Sequence, residues 1–158
     1  MRARVVRFAF VSALALAVTL SACTGPGAQA KPTVAAAGAP AGAASAPAKP
    51  PGPYTANGEA DVSSGKVSIQ MMDTMKYQPN TFTNAKAGST ITVDLKNAGA
   101  TVHSIMAPQM GLTAKKEIPG GGSGSVTFTV PSQPGTYFFW CPEPGHAEAG
   151  MVGQVQVK

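Results

Sequence analysis

A thiol, an imidazole and a thioether stand at fixed intervals near the end of this chain. The stretch Trp140-Cys141-Pro142-Glu143-Pro144-Gly145-His146-Ala147-Glu148-Ala149-Gly150-Met151 spaces them as C-x4-H-x4-M. A second imidazole, His103, lies upstream in Asn97-Ala98-Gly99-Ala100-Thr101-Val102-His103-Ser104. Thiolate and thioether favour copper(I), whereas imidazole suits both oxidation states. Two histidines, one cysteine and a distant methionine are therefore the donor set of a one-electron copper site. Taken singly, Cys141 is a small buried hydrophobe, each histidine a structural residue and Met151 core. Three of the four fall in one short loop, and the chain's only two histidines both belong to the set. The joint reading is a metal centre.

The loop must hold its donors in one geometry that serves both oxidation states. Pro142 and Pro144 each fix φ, which limits how it turns. Gly145 and Gly150 give conformational freedom just before His146 and Met151. Around the loop the sequence is β-like: Val67-Ser68-Ile69-Gln70-Met71 and Ile91-Thr92-Val93-Asp94-Leu95 alternate apolar and polar, as do Val126-Thr127-Phe128-Thr129-Val130 and Val155-Gln156-Val157. Period-two runs between Gly, Pro and Asn turns predict an antiparallel sandwich in one small domain, residues 54–158. No helix longer than a turn is expected, with 111–116 the one stretch that could form such a turn. The tract Pro119-Gly120-Gly121-Gly122-Ser123-Gly124 reads as a mobile connection. It is not a phosphate loop, because no helix follows it. Alternation puts Tyr137, Phe139 and Cys141 on one face of a strand, with Phe138 and Trp140 on the other. Cys141 must point inward to meet His103, so Trp140 takes the outer or flanking face.

The N-terminal end sets the compartment. Residues 1–22 carry Arg2, Arg4 and Arg7 and then an apolar run too short to span a bilayer, which is the form of a secretory signal. Leu20-Ser21-Ala22-Cys23 resembles a bacterial lipobox, which implies lipidation of Cys23 as the first mature residue. Residues 24–53, dominated by Ala, Pro and Gly, have too few large apolar side chains to fold and are expected to be a disordered tether. Thirty such residues reach roughly 90 Å if polyproline-like and about 30 Å as a coil. With the leader gone, nine lysines face seven acids, and from Tyr54 onward the count is seven against seven. The formal charge of +5 is thus a leader and tether effect, and nucleic-acid binding is not supported. With Cys23 lipidated, Cys141 has no disulfide partner, which leaves metal ligation as its function.

The C-x4-H-x4-M loop, the segment Asn97-x-Gly99-x-x-x-His103-Ser104 and the strand Gly135-Thr136-Tyr137-Phe138-Phe139-Trp140 resemble the cupredoxin family, most closely its auracyanin-like blue copper members. The resemblance covers about residues 60–158. It implies an all-β Greek-key sandwich of about seven to eight strands, and one copper ion held by His103, Cys141, His146 and Met151. It also implies a monomeric electron carrier, not an enzyme, anchored on the outward face of a bacterial membrane, where it serves membrane redox proteins. Backbone N–H groups of Ser104 and Glu143 are the donors expected at the Cys141 sulfur. One departure is Ser104, where many members carry an Asn that ties the two ligand loops together. The ring edge of His146 is the implied electron exit, within an apolar patch drawn from Met106, Pro108, Met110, Leu112, Pro144, Ala147 and Ala149. Glu143 and Glu148 are expected at its rim, and Trp140 is a second possible route. A copper chaperone or storage lipoprotein stays open as an alternative, motivated by Met71-Met72-Asp73-Thr74-Met75, Met106 and Met110. Copper enzymes need further histidines, and a dinuclear copper site needs a second loop cysteine; the chain has neither to spare.

Overall fold

Apolar–polar alternation becomes strand wherever it is sustained. In the computed structural model, which describes residues 49–158, there are ten strands. In chain order these are β1 (Glu59–Asp61), β2 (Lys66–Met72), β3 (Lys76–Gln78), β4 (Thr81–Ala85) and β5 (Thr90–Asn97). They continue as β6 (His103–Ala107), β7 (Leu112–Ile118), β8 (Ser123–Thr129), β9 (Gly135–Trp140) and β10 (Val152–Val157). One sheet has six strands in the order β1-β4-β10-β9-β6-β7, and the other has four in the order β3-β2-β5-β8. Along β2 every second side chain is buried, Val67, Ile69 and Met71, while Lys66, Ser68 and Gln70 face solvent. That is the pattern of a sheet with one face on a core.

The two apolar faces meet around aromatic rings. Phe139 of β9 lies 5.3 Å from Tyr77, 5.0 Å from Phe82 and 5.5 Å from Phe128, between ring centroids. All four rings are fully buried. Tilted pairs at such spacing add about 0.5–1.5 kcal/mol each beyond area burial. Gly153 stands opposite Phe139 across the β9–β10 ladder, and a Cβ there would come within 2.1 Å of the Phe139 ring. The glycine vacates the space that the ring fills.

The architecture departs from the expected one in several respects. The sandwich is mixed, since β1 with β4, β4 with β10 and β2 with β5 all pair in parallel. Alternation sets which face a residue takes, but it carries no information on the direction of the neighbouring strand. There are ten strands, not seven to eight, because β1 and β3 have three residues each, too few to display a period. The 111–116 stretch does not form a helical turn of its own: Gly111 caps the turn before it, and 112–116 belong to β7, which pairs with β6 and exposes most of its side chains. A 3-10 turn does occur, one step upstream at Pro108–Met110.

The glycine tract 119–124 is tied down. Gly122 N–H bonds Pro119 O at 2.8 Å, Gly121 N–H bonds Gly99 O at 3.0 Å, and its last two residues open β8. Packing also extends upstream of Tyr54, where Pro50 is already buried. The expected signal peptide, Cys23 and residues 24–48 of the expected tether lie outside the described residues.

Two polar clusters lock strand ends. Buried Asn80 donates from Nδ2 to Thr55 O (2.9 Å) and Val152 O (3.0 Å), and accepts from Asn57 N–H (2.6 Å). Asn80→Ala leaves these groups unpaired in the interior and is expected to cost about 2–4 kcal/mol in urea unfolding. On the surface, hydrogen bonds from Ser63 and then Asn84 hold the Asp61 carboxyl below its ordinary value. A lowered folded value stabilises above the unfolded value of about 4, and the contribution disappears as pH falls through the lowered one. Asp61→Asn should therefore lower the melting temperature at pH 7, by an amount that shrinks progressively as pH falls below about 4.

Candidate metal centre

The loop 141–151 folds back on itself so that its ends meet. Cys141 N–H bonds Met151 O at 3.0 Å, and Met151 N–H bonds His146 O at 2.9 Å. Inside the loop, His146 N–H reaches Glu143 O at 3.1 Å and Gly150 N–H reaches Ala147 O at 2.8 Å. Gly145 (φ 81°) and Gly150 (φ 99°) take the left-handed conformations that precede the two ligand positions. Cys141 continues the inward face of β9 with Tyr137 and Phe139, while Phe138 and Trp140 are half-buried on the other side.

The structure brings three of the sequence-predicted donors to one point. One donor atom each from His103, Cys141 and His146 lies within 4.8 Å of the others. The two Nδ1 atoms are 3.2 Å apart, and Cys141 Sγ is 3.3 Å from His146 Nδ1. His103 and Cys141 are fully buried, and His146 is half-buried, so its ring is the accessible part of the set. Met151 is fully buried as well, and its backbone bonds both Cys141 and His146. A buried thiol beside two imidazole nitrogens suits a single soft-to-borderline ion, and copper fits this mixed set.

The surroundings act on the sulfur. Ser104 N–H points at Cys141 Sγ from 3.3 Å, and Glu143 N–H is a second donor to it. Burial pushes the Cys141 thiol up, while these two N–H groups pull it back. His103 is pushed down, chiefly by burial and then by His146, with Asp73 opposing. The fully buried Tyr77 hydroxyl donates to Ser104 O at 2.6 Å, which ties the aromatic core to this loop.

Ser104 supplies a tie of its own between the two ligand loops. Its Oγ donates to Glu143 Oε1 at 2.6 Å, and Lys115 Nζ reaches the same oxygen at 2.7 Å. Lys115 first and Ser104 second hold the Glu143 carboxyl below its ordinary range. Glu143 is thus a clasp with its side chain mostly covered (14% exposed), not a free rim charge, whereas Glu148 is exposed.

The expected apolar patch is smaller than the sequence implies. Met110 and Ala147 are buried and cannot touch a partner, because the 3-10 turn directs Met110 into the core. Met106, Pro108 and Leu112 are half-exposed, and Pro144 and Ala149 are exposed. Val102, next to His103 in the chain, is an exposed apolar side chain (38%) that sequence reasoning passed over.

Asp73 and Gly52 were also missed, and Asn97 was read only as part of the segment leading to His103. Buried Asn97 accepts Gly99 N–H at 3.0 Å and donates to Thr101 O (2.8 Å) and Ile118 O (3.0 Å). It shapes the turn before His103, and an Asn two residues before a Gly was the available signal. Asp73 accepts from Ala100 N–H (2.8 Å) and Thr101 N–H (3.1 Å), which lower its carboxyl. Gly52 lies against the ligand loop, where a Cβ would meet Ala147 O at 1.7 Å. No local pattern announces either of these last two contacts.

Ser104→Ala should lower the stability of the metal-free protein by about 1–2 kcal/mol in urea unfolding, since it removes a hydrogen bond to a charged acceptor. Ser104→Thr, which keeps the hydroxyl, should recover part of that loss.

Comparison with known proteins agrees with this geometry. Residues 41–153 match the cupredoxin-like domain. The chain is 31% identical over 127 residues to the copper-resistant cuproprotein CopI of Rubrivivax gelatinosus, covering 67% of this chain and 74% of that protein. Over a shorter stretch of 37 residues it is 57% identical to auracyanin-B of Chloroflexus aurantiacus, covering 23% of this chain and 15% of that one. Among solved structures, the reduced auracyanin of the photosynthetic bacterium Roseiflexus castenholzii superposes with a TM-score of 0.50 at 30% identity, over 60% of this chain and 97% of that one. The extent of the family match, together with the fold and the converging donors, shows that this chain belongs to the cupredoxin-like domain family.

Proposed function

We propose that this chain is a type 1 copper one-electron carrier, exported and held by a lipid on Cys23 at the outward face of a bacterial membrane. The observation that carries the reading is the convergence of His103, Cys141 and His146 on one buried point, closed beneath by the Cys141–Met151 backbone bond. When bound, copper supplies a one-electron couple between its +1 and +2 states. The chain's own residues do the rest. His103, Cys141, His146 and Met151 are the ligands in this reading. The Ser104 and Glu143 N–H groups stabilise negative charge on the sulfur. Burial of His103, Cys141 and Met151 keeps water from three of the four donors.

The half-buried His146 is the contact edge for redox partners in this reading, with exposed Pro144 and Ala149 of the same loop as its candidate apolar surroundings. Such a small, weakly charged surface suits brief docking, since redox encounters use small interfaces and must release quickly. Trp140, half-buried and paired with Met106 across β6 and β9, is a second route only if its removal slows one partner selectively. A tether formed by residues 24–48, together with the lipid, would let the domain sweep between membrane partners at raised effective concentration.

A second reading, copper handling in metal resistance, is favoured by the similarity to the copper-resistant cuproprotein CopI. It requires a further copper site outside the four-ligand set. Met71, one methionine that motivated it, is fully buried, which leaves Met72 and Met75 as the half-exposed members of that run.

Addition of one equivalent of copper(II) to the full chain separates the readings. A carrier should show an intense blue thiolate band and narrow copper hyperfine splitting, both lost on reduction and restored on oxidation. Cys141→Ser should abolish the band. A pale spectrum, or uptake of copper(I) at a second equivalent, would move the conclusion to copper handling.

A further inference from the structure

His103 leaves one ring nitrogen without an aligned acceptor. Its Nδ1 faces His146 Nδ1 at 3.2 Å, so Nε2 lies on the far side of the ring, away from the converging donors. Nε2 is buried with no hydrogen-bond acceptor in line with it, yet Asp73 Oδ1 stands only 3.3 Å away. A buried donor this close to a carboxylate is half of a carboxylate–histidine pair. Histidines that bind metals through one nitrogen characteristically give the proton on the other to such a group, which settles tautomer and ring orientation.

Asp73 is seated as such a group would need to be. It follows the end of β2, and its carboxylate crosses to the turn before His103. Oδ2 accepts Ala100 N–H at 2.8 Å, and Oδ1 accepts Thr101 N–H at 3.1 Å. Gly99 completes the socket. A Cβ at that position would fall 2.1 Å from Asp73 Oδ1 and 2.4 Å from its Cγ, so only a glycine admits the carboxylate. Both bonded N–H groups belong to residues two and three before the histidine. The carboxylate therefore sets the course of the backbone into His103 and also faces its ring.

We propose that Asp73 is the positioning residue for His103, its carboxylate keeping the proton on Nε2 so that Nδ1 stays free to bind metal. The metal in question is that of the carrier reading, on which this inference rests. Asp73 does not itself ligate. It acts through His103, and its negative charge favours the more positive, oxidised form of the centre.

The first test needs no metal. In the 15N-labelled, metal-free full chain at neutral pH, His103 should be the Nε2–H tautomer. The Nδ1–H tautomer would overturn the proposal. In Asp73→Asn, which keeps the side-chain shape and removes the charge, the ratio of Nε2–H to Nδ1–H should fall several-fold. After one equivalent of copper(II), the reduction potential of Asp73→Asn should lie above that of the unsubstituted protein. An unchanged tautomer ratio and an unchanged potential would together reduce Asp73 to a loop clasp and overturn the proposal. If Asp73→Asn does not fold, the tautomer of the unsubstituted protein decides alone. Absence of a blue band in the unsubstituted protein would sink the carrier reading, while the metal-free tautomer measurements would still judge Asp73.

Discussion

The bond from Cys141 N–H to Met151 O is the constraint on which the centre depends. It closes the eleven-residue excursion 141–151 between β9 and β10 at its neck, where those two strands are already antiparallel partners up to Trp140 and Val152. The ladder therefore delivers Cys141 and Met151 side by side, and His146 is held midway by its own carbonyl bond to Met151 N–H. Loop closure is inexpensive here because the strands have met the entropic cost already. The ladder in turn rests on Phe139, whose ring fills the space left by Gly153 and touches three other buried rings.

Against that rigid hairpin, His103 must be brought from another part of the sheet. The start of β6 is fastened from several sides. Asn97 bonds the turn from within, Asp73 from the β2–β3 side, and Gly121 through Gly99 O. Ser104 then reaches both the Cys141 sulfur and the Glu143 carboxylate, so one residue links the upstream histidine to the hairpin twice. Apart from Glu143, these partners are backbone or short side chains, which lose little rotamer freedom on ordering. A centre that alternates between two oxidation states at small cost in rearrangement needs such over-determination.

The same packing explains why the accessible end is small. His146 is the half-buried member of the candidate donor set, while Ala147, next to it in the chain, and Met110 of the 3-10 turn point inward. The remaining apolar surface around it is a narrow rim. Lys115 of β7 pairs with both Glu117 and Glu143, one cation between two carboxylates.

By itself the sequence determined what depends on residue type and local period. The three candidate donors that the structure brings together, His103, Cys141 and His146, the inward direction of Cys141, the glycines at 145 and 150, and the strands β2, β5, β8, β9 and β10 could all be read from it. Each follows from chemistry within a few residues or from alternation along one strand. Only the tertiary structure decided the parallel pairing of β2 with β5, the strand at 112–118, the burial of Met110, and the meeting of Gly52 with Ala147. It alone placed Asp73 beside His103, thirty positions along the chain. Contacts of that kind depend on which strand becomes whose neighbour and in which register, and side-chain periodicity is silent on both.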